Sequence, residues 1–224
     1  MRIKQRQVLP GVDKAVSQAT KVYVAEACAA NDILVATGTK NGFLSVVKAS
    51  NVDITKCRGP LFVADFAAAL GDYVAVALPW KLVTGVNTAS NAVGDAVWLG
   101  AGSTSLTVPA TASLSGGSAA FTAVGFHIRV GRVVESHAST GAYLLQPSTP
   151  SVLAGSVKRT GSNSATLTVT GLGTTLAGAP VVALSEGDGT TRHVLYGLVN
   201  GSGNLVITLN NADNTDEVSF MIHA

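Results

Sequence analysis

The sequence predicts an all-β protein, and three observations carry that reading. Charged residues make up only 12% of the 224 residues, hydrophobic residues 47%, and there are 24 Gly. Helix-rich folds line their exposed faces with Glu and Lys, whereas small and β-branched residues with frequent Gly suit short strands and tight turns. The second observation is alternation: Ala165-Thr166-Leu167-Thr168-Val169-Thr170 switches apolar and polar at every step, the period of a half-buried strand. The third is spacing. Gly- and Asn-rich breaks at Gly38 to Gly42, Gly100 to Gly102, Gly116-Gly117, Gly187 to Gly189 and Asn200 to Gly203 leave little room for helices.

Taken in order, residues 1–20 read either as a basic arm or as a frayed terminus with incidental charges. Arg2, Lys4, Arg6 and Lys14 meet only Asp13, and Lys21 follows, a pattern suited to lying on an acidic partner surface. Residues 1–150 hold 12 Lys and Arg against 8 Asp and Glu, and residues 151–224 hold 3 against 5, so the basic charge is weighted to the front. An echo then occurs three times: Asn31-Asp32, Gly71-Asp72 and Gly94-Asp95 each precede an apolar run. Gly and Asn accept positive φ and Asp bonds nearby amides, so each pair is a turn that launches a strand. The intervals are irregular, which argues against a repeat protein. Val63 to Leu70, around Ala67-Ala68-Ala69, is the best helix candidate, with a strand as its alternative. Trp80, between Pro79 and Lys81, is either an interface anchor or an aromatic closing a core edge.

In Phe126-His127-Ile128-Arg129-Val130 the alternation puts His127 and Arg129 away from the core. Gln146-Pro147-Ser148-Thr149-Pro150 reads as a semi-rigid connector. Residues 21–147 are then a first domain, 148–151 a linker, and 152–224 a second domain of about six short strands. Leu205, Ile207 and Leu209 share one face there, as do Val218, Phe220 and Ile222. Six short strands make a small sandwich-like or barrel-like sheet.

The same residues argue against several function classes. No Gly-x-Ser-x-Gly elbow and no Gly-Lys-Ser/Thr loop occurs. His127, His137, His193 and His223 have no metal-ligand spacing, and exposed strand histidines are the plain reading for His127 and His193. Glu186 and Asp188 in a Gly-rich turn are a thin start for calcium, which needs six or more oxygens. The expectation is no enzyme activity, no cofactor and no metal. Aromatics interleaved with basic residues are absent, which argues against nucleic acid. The most apolar stretch, Leu61 to Leu78, is broken by Asp65, Gly71 and Asp72, so no membrane span is expected. The polar Gln5, Gln7 and Asp13 after the basic start speak against a secretory leader, and synthesis in a cytoplasm is expected. Cys28 and Cys57 lie in apolar stretches, where buried free thiols are more natural than a bond between them, which stays open. So little charge points either to Thr-rich exposed strand faces or to a surface covered by other chains.

Three further segments carry a family resemblance. Gly94-Asp95-Ala96-Val97-Trp98-Leu99 is followed by a Gly/Thr-rich run, then Val130-Gly131-Arg132-Val133-Val134-Glu135, then Gly141-Ala142-Tyr143-Leu144-Leu145-Gln146-Pro147. This series resembles the closing half of phage capsid decoration, or cement, proteins of the small β-barrel (β-tulip) kind. Those carry a Gly-Asp-x-Val-Tyr/Trp strand, a Val/Ile-Gly-Arg/Val-Val strand and a final short strand. The resemblance covers about the first two-thirds of the chain, and the C-terminal piece falls outside the family's minimal pattern. It implies a β-barrel first domain and a structural virion protein on the outer capsid surface. Its partners would be the major capsid protein and itself, as a homotrimer bridging capsomers at three-fold or quasi-three-fold sites. On this reading Arg2, Lys4, Arg6, Lys14 and Trp80 face the capsid and the acidic C-terminal domain points outward. A different reading of the exposed polar loops, Thr190-Thr191-Arg192 and Asn210 to Asp216, is an adhesin or head-fibre protein that grips host surface glycans.

Overall fold

The computed structural model describes residues 19–109, 112–115, 118–120, 124–160, 166–186, 192–208 and 217–223. The protein is all-β, 54% strand and 4% helical. The basic arm, with Arg2, Lys4, Arg6 and Lys14, lies outside the described residues, as do Leu209, Asp188, Thr190-Thr191 and Asn210 to Asp216.

Five strands close a barrel in the order β1-β3-β2-β4-β5: β1 (Thr20–Val24), β2 (Ile33–Lys40), β3 (Phe43–Lys48), β4 (Leu61–Ala64) and β5 (Tyr73–Leu78). Strands β2 and β3 form a hairpin around Asn41-Gly42, both at positive φ (50° and 80°). That is the two-residue turn whose twist matches the strands it joins. The Val63–Leu70 helix expectation is corrected: β4 ends at Ala64 and a bend follows. The alanines there spend their backbone groups on another segment instead of on a helix.

That other segment is 24–32, and the two clasp each other with matched bonds. Cys28 N–H donates to Ala68 O at 3.0 Å, and Ala68 N–H to Cys28 O at 2.9 Å. Val24 N–H donates to Asp72 O at 2.9 Å, and Ala64 N–H to Asp32 O at 2.8 Å. Gly71 N–H donates to Val24 O and Asn31 N–H to Ala64 O, both at 2.8 Å. Every bond has a counterpart at a spacing of 40 residues (68 − 28) with the roles exchanged, the self-complementary pattern of a two-fold interface inside one chain.

A second sheet of five strands runs β6-β12-β11-β7-β8: β6 (Lys81–Val86), β7 (Ala96–Leu99), β8 (Thr104–Ser105), β11 (Arg129–Glu135) and β12 (Gly141–Leu145). The six C-terminal strands are β13 (Val152–Thr160), β14 (Thr166–Thr170), β15 (Pro180–Glu186), β16 (Arg192–Val199), β17 (Leu205–Thr208) and β18 (Glu217–His223). Strands β9 (Ala112–Ser115) and β10 (Ser118–Ala120) join them by parallel pairing, giving one eight-stranded sheet, β10-β14-β17-β16-β15-β18-β13-β9.

Alternation sorts the core. On β2, Leu34 points into the barrel with Val22, Val24, Val46 and Val76, while Ile33 and Val35 point out into a larger core. A strand buried on both faces reads as an unbroken apolar run, which is what Ile33-Leu34-Val35 is. The larger core is continuous through Val97, Val130 and Leu145 of the five-stranded sheet to Leu153, Leu167 and Phe220 of the eight-stranded one. Burying each such Leu or Phe contributes roughly 1.5–3 kcal/mol. The predicted faces of β14, β17 and β18 are as expected: Leu167, Val169, Leu205, Ile207, Val218, Phe220 and Ile222 are all buried.

Candidate interaction surfaces

Trp80 sits at the turn from β5 to β6 and is 46% exposed. Lys81 anchors this turn: its Nζ donates to Asp65 O at 2.5 Å and to Ala64 O at 3.4 Å, and lies 3.3 Å from Asp65 Oδ1. On β6, Val83 is buried, so alternation turns Leu82 outward, and it is 50% exposed. Leu82 pairs across strands with Leu144, Leu144 with Arg132, and Arg132 with Ala96. The outer face of the five-stranded sheet therefore carries a row of Leu, Leu, Arg and Ala beside an exposed Trp. Near the barrel clasp, Phe66 and Leu70 are exposed too.

A second apolar row crosses the eight-stranded sheet. Met221, Val182 and Tyr196 are direct cross-strand partners on β18, β15 and β16, and all three are exposed, Tyr196 to 70%. Leu198, one outward position along β16, is exposed as well and pairs with Pro180 and Val206. None of these six residues is charged. Sequence periodicity singles out the opposite face of β18, Val218, Phe220 and Ile222, and not this outward row.

The three Asp turns are one device. In each, the Asp carboxylate accepts from the N–H three residues back: Asp32 from Ala29 at 2.8 Å, Asp72 from Ala69 at 2.9 Å, Asp95 from Ala92 at 2.8 Å. The residue before each Asp has positive φ: Asn31 72°, Gly71 94°, Gly94 98°. That residue's N–H and the Asp carbonyl then grip a single strand residue, Ala64, Val24 and Val133 respectively. All three carboxylates serve the backbone, so the turns hold the fold and are not chemical sites.

His127 departs from the exposed-strand expectation. Its segment is wedged between sheets, its N–H donating to Ala154 O at 2.7 Å, and the ring is half-buried with its centroid 6.2 Å from that of Trp98. Burial lowers its pKa, and the Glu217 carboxylate opposes that shift. His137 Nδ1 accepts from Ser139 and Thr140 N–H at 3.1 Å, another turn. His223 is exposed, and the side chain of His193 lies outside those described. Cys28 and Cys57 are both free and buried. Burial pushes the Cys57 thiol up to about 12, with Asp53 adding to it and Arg58 opposing, so it is a poor nucleophile. Among the described residues no three His, Cys, Asp or Glu side chains gather to hold a metal. No described helix is long and apolar enough to cross a membrane. No family model, curated protein or solved structure matches the chain.

Proposed function

We propose that this is a non-enzymatic structural virion protein that decorates and stabilises a phage capsid by bridging neighbouring major capsid protein subunits. The observation that carries the reading is the exposed Trp80 beside the Leu82–Leu144–Arg132 row. Trp and Arg are the residue types that dominate binding when water is excluded from them. The Met221–Val182–Tyr196 row supports self-association, as a homotrimer whose three equal patches meet a local three-fold axis. Avidity then lets each contact be modest in area. In this reading the N-terminal part of the chain, which holds the closed barrel β1–β5 and the five-stranded sheet, and the basic arm 1–20 face the shell. The linker 148–151 leads to a sandwich-like domain that points outward.

The test is co-sedimentation of the purified protein with mature capsids, beside a mass measurement of the free protein. Trp80→Ala with Leu82→Ala is expected to lower occupancy at least tenfold, and deletion of 1–20 to lower it further. A protein that never co-sediments, or that binds equally well without Trp80 and the arm, overturns the proposal.

A further inference from the structure

Where the linker passes the start of β11, it leaves an open cleft of about 220 Å³ lined by His127, Arg129, Ser148, Thr149 and Ser151. The cleft lies at the junction of the five- and eight-stranded sheets, because Arg129 opens β11 and Val152 opens β13. Pockets for drug-sized ligands run to roughly 300–1,000 Å³. A cleft somewhat smaller than that suits a single six-membered ring better than a bare ion.

Its chemistry is specific. Arg129 is exposed, and its Nε donates to Gly131 O at 3.1 Å, which fixes the plane of the guanidinium. Neither ion pair among the described residues involves it. A fixed guanidinium is the fork that binds a carboxylate. The same cleft is lined by three hydroxyl side chains, each able to donate and accept, as sugar hydroxyls require. Pro150 removes a backbone N–H from the linker, so a nest of amides of the kind that holds phosphate cannot be completed there. The Glu217 carboxylate acts on His127 from the β18 side.

We propose that this cleft binds one acidic sugar unit, with the sugar carboxylate on Arg129 and its hydroxyls on Ser148, Thr149 and Ser151. The proposal does not depend on capsid binding, and its test uses the isolated full chain, so either reading can fail without the other. The ¹⁵N-labelled protein is titrated with glucuronate, glucose, acetate and inorganic phosphate. Glucuronate is expected to saturate with a dissociation constant on the order of 1 mM, as befits so few atoms. Glucose and acetate should each bind at least about tenfold more weakly, since each lacks half of the contacts. Arg129→Ala should lower glucuronate affinity at least about tenfold, while Thr149→Val weakens glucuronate and leaves acetate unchanged. Should Arg129→Ala fail to fold, Thr149→Val carries the test. Acetate or phosphate binding as tightly as glucuronate, or no saturable shift with any of the four, overturns the proposal.

Discussion

Cys28 and Ala68 face each other across an isolated antiparallel bridge, each donating its N–H to the other's carbonyl, at 3.0 and 2.9 Å. Partners that exchange both bonds have Cα atoms about 5.5 Å apart, inside the range a disulfide spans. Ala68→Cys should therefore cross-link to Cys28 under mild oxidation, read as a loss of two thiols by alkylation and mass measurement. By loop entropy the bond adds up to about 4 kcal/mol, less any strain. A variant that keeps both thiols free under oxidant would mean that the two segments are not clasped in this register.

The matched turns at Asp32 and Asp72 hold the two halves of that clasp, whereas Asp95 grips Val133 elsewhere. Each Asp→Ala change is expected to cost about 1 kcal/mol in urea unfolding. Asp32→Ala and Asp72→Ala should couple, their double mutant departing from additivity by at least about 0.5 kcal/mol. Asp95→Ala should add independently to either. Strict additivity in all three pairs would remove the two-fold clasp as a unit.

Gly131 on β11 has a packing role. A Cβ there would run into the carbonyl oxygen of Leu144 on β12. Because the obstacle is backbone, Gly131→Ala must part β11 from β12, and a loss of at least about 2 kcal/mol is expected. Thr88 supports the same hairpin. Its hydroxyl donates to Glu135 O at 2.6 Å and accepts from His137 N–H at 3.0 Å, while the residue is fully buried. Thr88→Val leaves both partners unmet and should cost about 1–3 kcal/mol. Calorimetry reads both variants, and a melting temperature within a degree of the parent's would refute the account.

His127 makes stability depend on pH in a defined direction. Burial lowers its folded pKa below the ordinary 6.5, so between those two values the unfolded chain binds the proton more readily. The His127 contribution is complete above about 6.5 and is lost as pH falls through the folded value. Denaturation midpoints should drop from pH 7.5 to 5, and His127→Gln should flatten part of that slope. An identical slope in the variant would show that other groups carry it.

Strand content, the faces of β14, β17 and β18 and the three Asp turns were legible in the sequence because each rests on neighbours a few residues apart. Period-two alternation and positive-φ turn residues are local properties of the chain. The mistaken helix at Val63–Leu70 shows the limit of such signals: alanines favour a helix until a distant segment satisfies their amides. His127 shows it again, since alternation cannot tell solvent from a second sheet.

The amino-acid order alone determined that this chain makes short strands, where many of them turn and which side chains several of them bury. Only the tertiary structure decided that residues 24–32 and 64–72 embrace as equals. It also decided that β9 and β10 join the C-terminal strands, and that Trp80, Leu82 and Tyr196 stay at the surface. Hydrogen bonds and contacts between segments far apart in sequence depend on how strands are ordered in space, and no local pattern of residues encodes that order.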